Sequence, residues 1–231
     1  MKKFLFGIVA VVLLAAAGLW WALPAFLQSR IETYLDQHVP MQNRQVHVVL
    51  GSPSDIWQGR IERITAEGDQ VQTAGLTYAH LKADLRQVDF RLQRLWQDGE
   101  FVVERIGGGE VSAFLSAQEL QRRLRAQIDA VQNVQVDINT ERIAVSGELS
   151  LGNLALGRME LEGVPLLKDN RLVMLPSGLR LNRWGISGIN SSLMKTVDVY
   201  DFRQFPIPVT AQKVELRDGM VVIAATPYKG N

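Results

Sequence analysis

Hydrophobic and polar positions follow three regimes along the chain. From Phe4 to Leu23, 20 residues pass without a charge. From there to Pro40 the apolar residues recur at helical spacing. Leu27, Ile31, Tyr34, Leu35 and His38 share a face, and Glu32 and Asp36 lie elsewhere. Pro40 ends this helix, because proline disfavours helical geometry in the residue before it. From residue 45 the period shortens toward two. Val46, Val48 and Leu50 alternate, and Ile61 is followed by a phase shift to Ile64. Between residues 76 and 96, Ala79, Leu81, Ala83 and Leu85 alternate with His80, Lys82, Asp84 and Arg86. Past Gln87 the apolar set moves to Val88, Phe90 and Leu92. A one-residue shift turns every later side chain to the other face unless a bulge absorbs it. The stretch therefore reads as one long strand, or two in line, broken near Gln87.

A second amphipathic helix is predicted after Ser116. Ser116 and Glu119 have the spacing of a capping box. Leu120, Leu124, Ile128 and Val131 then form a stripe, with Arg122, Arg123 and Arg125 on the wet side. Strand patterns return with Val134, Val136 and Ile138, a turn near Asn139-Thr140-Glu141, and Ile143 and Val145. Leu154, Leu156, Met159 and Leu161 follow with another phase slip, then Leu172, Met174, Leu179 and Leu181. Asp218-Gly219 marks a hairpin between two apolar runs. The pattern predicts an α+β fold. Its expected form is a long, curved, mostly antiparallel sheet wrapped around one or two amphipathic helices, preceded by an N-terminal transmembrane helix.

That transmembrane helix is the expected role of Phe4 to Leu23. Twenty helical residues span roughly 30 Å, about the hydrocarbon thickness of a bilayer. Lys2 and Lys3 hold the N-terminus in the cytoplasm by the positive-inside rule, which places the rest outside. Ala15-Ala16-Ala17 also suits signal-peptide cleavage, but the apolar run continues through Trp20, Trp21 and Leu23. Residues 1–27 thus read as a membrane anchor or signal segment and 28–231 as the working domain. The expected location is the cell membrane, single-pass, with the domain extracytoplasmic.

Charge and composition narrow the chemistry. Without Lys2 and Lys3, 23 basic residues face 24 acidic ones, so the body carries −1 and offers no nucleic-acid footprint. Cysteine is absent, which removes disulfides, thiolate zinc sites and cysteine nucleophiles. Gly107-Gly108-Gly109 is no phosphate cradle, because a strand-like run separates it from the helix and no Lys-Ser or Lys-Thr pair follows. It reads as a turn or bulge that lets the sheet bend. "GISG" at 185–188 lacks the spacing of a nucleophile elbow, and His38, His47 and His80 fall in different elements. The acidic residues mostly occupy outward strand positions. A carboxylate pair brought together in space stays open. The expectation is a protein without catalytic residues, metal or cofactor.

What remains is apolar area. Long, phase-shifted strands suit a sheet that curls and leaves a groove. A sixteen-carbon acyl chain carries roughly 12 kcal/mol of transfer free energy, and only a continuous apolar groove can return it. Val88, Phe90 and Leu92 on the long strand and Leu120, Leu124 and Ile128 on the helix are the candidate lipid-contacting residues. The stretches "GSPSDIWQGRIERITAEGDQVQTAGLTYAHLKADLRQVDFRL", "GGGEVSAFLSAQELQRRL", "VQVDINTERIAVSGEL" and "FPIPVTAQKVELRDGMVVIAA", in that order, resemble the LmeA-like phospholipid-binding family over about residues 28–225. The Pro53 to Gly59 spacing before a strand, the glycine-rich lead into the capped helix and the Asp-Gly hairpin carry the resemblance. It implies a fold similar to tubular lipid-binding proteins, membrane phospholipid as partner and no defined catalytic residue. A cell-envelope scaffold with a packed core, or an envelope hydrolase with a spatial carboxylate pair, are the other readings the residues leave open.

Overall fold

The computed structural model describes residues 23, 25–37, 39–73, 75–127, 131–151, 154–182, 196–205 and 207–228. The expected transmembrane run, apart from Leu23, lies outside them, as do His38 and Ile128. Among the described residues no helix is long and apolar enough to cross a membrane.

Helix α1 covers residues 25–37. Leu27 and Ile31 are buried one turn apart, as the helical spacing predicts. Strand β1 (Gln42–Val49) follows, then the one-turn helix α2 (Pro53–Trp57), β2 (Arg60–Thr73), β3 (Leu76–Phe90), the short helix α3 (Leu92–Gln97) and β4 (Val103–Ser116). Helix α4 (Ala117–Gln127) leads to β5 (Val131–Ile138), β6 (Ile143–Leu151), β7 (Leu154–Lys168), β8 (Arg171–Asn182) and β9 (Val197–Asp201). A 3-10 turn (Phe202–Gln204) precedes the last hairpin, β10 (Val209–Arg217) and β11 (Met220–Pro227). The first sheet runs β1-β2-β3-β4-β11-β10 and the second β5-β6-β7-β8-β9, with every paired neighbour antiparallel. The expected single sheet is therefore two. They are tied at Gly219 N–H, which donates to Ile138 O (2.8 Å), and at Asn170, whose side chain donates to Val209 O and accepts from Ala211 N–H, both at 2.9 Å.

The break near Gln87 is real and has a visible cause. Gln87 sits at φ +50° inside one continuous strand, and burial along β3 changes phase there, from Leu81 and Ala83 to Val88 and Phe90. A second phase change lies further back, between Tyr78 and Leu81, so Ala79 faces away from the others. The glycine triplet is the matching half of the kink on β4. It is strand, not turn. A Cβ at Gly107 would lie 2.8 Å from Gln87 Cβ, and one at Gly109 would lie 2.1 Å from Asp84 O. The two strands approach this closely only without side chains on β4.

Three other expectations shift. β3 stops at Phe90, and Leu92 opens α3 rather than extending the strand. Val131 belongs to β5, where it pairs with Leu149, not to the α4 stripe. The capping box at α4 is one-sided. Ser116 Oγ accepts from Glu119 N–H (3.2 Å), but the buried Glu119 carboxylate accepts from Thr77 N–H on β3 (3.1 Å) and from Arg122. The residue expected to close the cap instead locks the helix onto the first sheet. The Asp218-Gly219 turn is as expected, with Gly219 at φ +75° and Arg217 opposite Met220.

Candidate functional site: an apolar cavity beneath helix α1

Buried apolar residues form two clusters. The larger joins the inner faces of both sheets with α4, through residues such as Tyr78, Leu115, Leu120, Leu124, Met159 and Met174. The smaller lies under α1 and is built from Leu27, Ile31, Ile61, Val88, Phe90, Leu95, Phe101 and Ile106. Leu35, Leu85 and Ile207 pack against both. At this seam the clusters fail to close, and a cavity of about 100 Å³ remains.

The direction of α1 places the cavity. Phe26, in its first turn, stacks on Trp96 of α3 with ring centroids 5.9 Å apart. That is the end of the first sheet where β2 begins and β3 ends. Beyond its last turn, Pro40 O accepts from Gln72 N–H (2.9 Å), at the opposite end of β2. The helix thus runs the length of the sheet's inner face. Its far half, through Ile31, Tyr34 and Leu35, roofs the void together with Val39 just beyond it. The floor is β2, β3 and β4: Ile64, Ala66 and Gly68, then Leu81, Ala83, Leu85 and Val88, then Val103 and Ile106. Phe205 and Ile207 close one side.

The floor carries small side chains here. Ala66 and Ala83 are Cα partners, and so are Gly68 and Leu81, with the Met41 side chain packed over Gly68. The inner surface is apolar. Glu67, at its edge, is engaged by His80 Nε2 (3.4 Å) and Lys82 Nζ (3.6 Å). A cavity of roughly 150 Å³ lined by Leu, Ile and Phe stays dry and takes up benzene. By that measure this one admits about four methylene-sized groups, the end of an acyl chain. A whole chain needs α1 to lift from the sheet. Two bonded contacts at its far end resist this: Arg44 Nη1 donates to Glu32 O (3.3 Å) and pairs with Asp36.

The six candidate residues do not converge. Val88 lines the cavity, and Phe90 is buried in the same cluster, stacked on Phe101 at 5.4 Å. Leu92 is half-buried at that cluster's edge. Leu120 and Leu124 are buried in the other cluster, between α4 and the two sheets. Ile128 is outside the described residues. The apolar cavity lies under α1. Beside α4 there is an open depression of about 840 Å³ lined largely by polar side chains, including Gln70, Glu119, Arg122 and Arg125. Ile31, Leu35, Ala66, Ala83 and Ile106 are the residues the sequence did not single out as a group. Their one signal is the helical stripe of Ile31 and Leu35.

Asp84 and Asp89 on the first sheet and Asp201 on the second are bound to arginines. Hydrogen bonds from Arg63 outweigh burial and hold Asp84 below its usual range, with bonds of 2.7 and 2.6 Å. Burial pushes Asp89 up, but Arg60 (2.9 Å) and Arg105 (2.7 Å) pull it below the ordinary value. Asp201, capped by Arg203, is lowered to about 2. Each is a charged strut across neighbouring strands or a turn. Among the described residues no cluster of His, Asp and Glu suits a metal ion.

An apolar cavity roofed by α1 suits an oily guest. A family model described as LmeA-like phospholipid-binding matches residues 21–226, which takes in α1, both sheets and the final hairpin. No curated protein and no solved structure matches the chain. The chain belongs to the LmeA-like phospholipid-binding family.

Proposed function

We propose that this protein is an extracytoplasmic, membrane-tethered phospholipid-binding protein that holds an acyl chain between α1 and the first sheet. One observation carries the reading: the apolar cavity at the seam of the two clusters, in a chain of a phospholipid-binding family. The cavity seats the chain end, and the guest replaces contacts between α1 and the floor as it enters. From Leu27 to Gln37 is 10 residues, or about 15 Å of helix. That approximates one leaflet of a bilayer whose core is about 30 Å thick. The headgroup stays at the wet end, and no bond is made or broken. The protein acts as a carrier or holder rather than an enzyme. The uncharged run from Phe4 to Leu23 supports the tether, and Lys2 and Lys3 the outward placement of the domain.

Native mass spectrometry of the full chain, released from detergent, tests this. The expected spectrum carries a species heavier by the mass of one phospholipid. A clean apo mass under every release condition contradicts it. The small volume of the void favours the rival reading, a cell-envelope scaffold whose core needs no guest. That reading gains if affinity capture from membranes returns stoichiometric protein partners and no lipid.

A further inference from the structure

Six large apolar residues stand exposed among the described residues: Val49, Trp57, Trp96, Val164, Leu175 and Tyr228. Single exposed apolar side chains are ordinary. Three of these six share one end of the first sheet. Val49 closes β1, opposite Arg63 near the start of β2. Trp57 ends α2, just before β2. Trp96 lies in α3, just after β3, and Arg60 at the start of β2 pairs with Asp89 at the end of β3. The two short helices are built alike. Each buries one residue, Ile56 or Leu95, and presents a tryptophan outward, 79% exposed at Trp57 and 58% at Trp96. Tryptophan, with an apolar body and one N–H donor, favours the boundary between lipid and water.

We propose that this rim docks on the surface of a phospholipid bilayer, with Trp57 and Trp96 inserted at headgroup depth. The course of the chain selects the bilayer as occupant. Leu23 packs against the cluster under α1, and Phe26, three residues on, stacks on Trp96. The polypeptide therefore enters the fold beside the exposed tryptophans. The docking rests on the reading that the run spans the membrane, and it extends that reading from the tether to the body of the domain. It also gives the cavity an address. The apolar column beneath α1 starts at this rim with Leu27 and Leu95 and runs inward to the void, so a docked domain points the column at the leaflet. The charges nearby are balanced. Arg60 and Arg105 bind Asp89, Arg91 binds Glu104, and Arg94 binds Asp98. Docking of this kind does not call for an anionic surface.

The chain has no cysteine, so single labels are clean. W57C, W96C and D218C, each in the full chain and carrying an environment-sensitive fluorophore, are reconstituted into phosphatidylcholine vesicles. Asp218 is exposed in the hairpin at the opposite end of the sheet and serves as control. The expected result is blue-shifted emission at 57 and 96, quenched by a nitroxide carried on the lipid, with the label at 218 in water. The label at 57 decides, since loss of Trp96 also removes its stack on Phe26. A label at 57 that stays as wet as the one at 218, or that shifts without quenching because protein covers it, overturns the docking. Bound phospholipid is weighed on the same variants. Lipid retained with a wet label at 57 defeats the docking alone. A quenched label with no retained lipid defeats the lipid-binding reading alone.

Discussion

Ala83→Phe is expected to empty the protein of lipid while leaving it folded. Ala83 sits in the middle of the cavity floor, between its strand partners Ala66 and Val111. An aromatic ring grown there occupies the space where the chain end would rest. Loss of room for about four methylenes, at roughly 0.8 kcal/mol each, amounts to about 3 kcal/mol, or on the order of a hundredfold in affinity. The fold should not suffer in proportion, because filling an apolar void restores contacts that the wild type lacks. The thermal midpoint is therefore expected to hold or rise as the retained lipid falls. A variant that keeps its lipid with unchanged affinity shows that the guest lies elsewhere. A steep loss of stability alongside shows that the void is smaller than its lining implies.

The second large effect is on the fold. Gly109→Val is expected to destabilise the domain by about 4 kcal/mol, combining strain in a φ region that disfavours side chains with overpacking. The cause is specific. Gly109 has φ +138°, and a Cβ there would stand 2.1 Å from the carbonyl oxygen of Asp84. The neighbouring Gly108 is the control. Nothing lies within 4 Å of a Cβ built on it, so Gly108→Ala is expected to stay within about 0.5 kcal/mol of wild type. Denaturant unfolding of the two variants separates a sheet that needs its kink from one that merely tolerates glycine. Equal midpoints would mean that β3 and β4 can move apart beside Asp84 and Leu85 without loss.

Much of this fold was legible in the residues. The helical stripe of Leu27 and Ile31, the turn at Asp218-Gly219, the start of α4 after Ser116 and the break at Gln87 each rest on local chemistry, and each stands where the pattern puts it. The errors have equally local reasons. Leu92 continued the strand alternation, and six residues are too few for a helical period to declare itself, so α3 was read as strand. Val131 continued the 3- and 4-residue spacing of the α4 stripe by coincidence. Glu119 had the spacing of a cap, but the sequence does not show that β3 brings Thr77 N–H within its reach. The partition into two sheets was hidden because both read as alternating strands.

The cavity was less legible still, and for a different reason. It is a gap between elements, not a motif within one. Its floor draws on β2, β3 and β4, its roof on α1, and its side on residues 205 and 207. Apolar periodicity announces that Ala66, Gly68 and Ala83 face inward. It does not announce that Ala66 and Ala83 meet beneath α1 with a cavity left between them. Leu120 and Leu124 on the more regular helix, α4, are packed between the two sheets.

The most direct test locates the guest. The full chain is reconstituted with a phospholipid that carries a photoactivatable group near the end of one acyl chain, and the crosslinked peptides are sequenced. The expected adducts fall on the far half of α1, from Ile31 to Val39, and on the facing strands around Ala83, Val88 and Ile106. Adducts confined to α4 and the second sheet, or scattered over the exterior, would contradict an acyl chain held beneath α1.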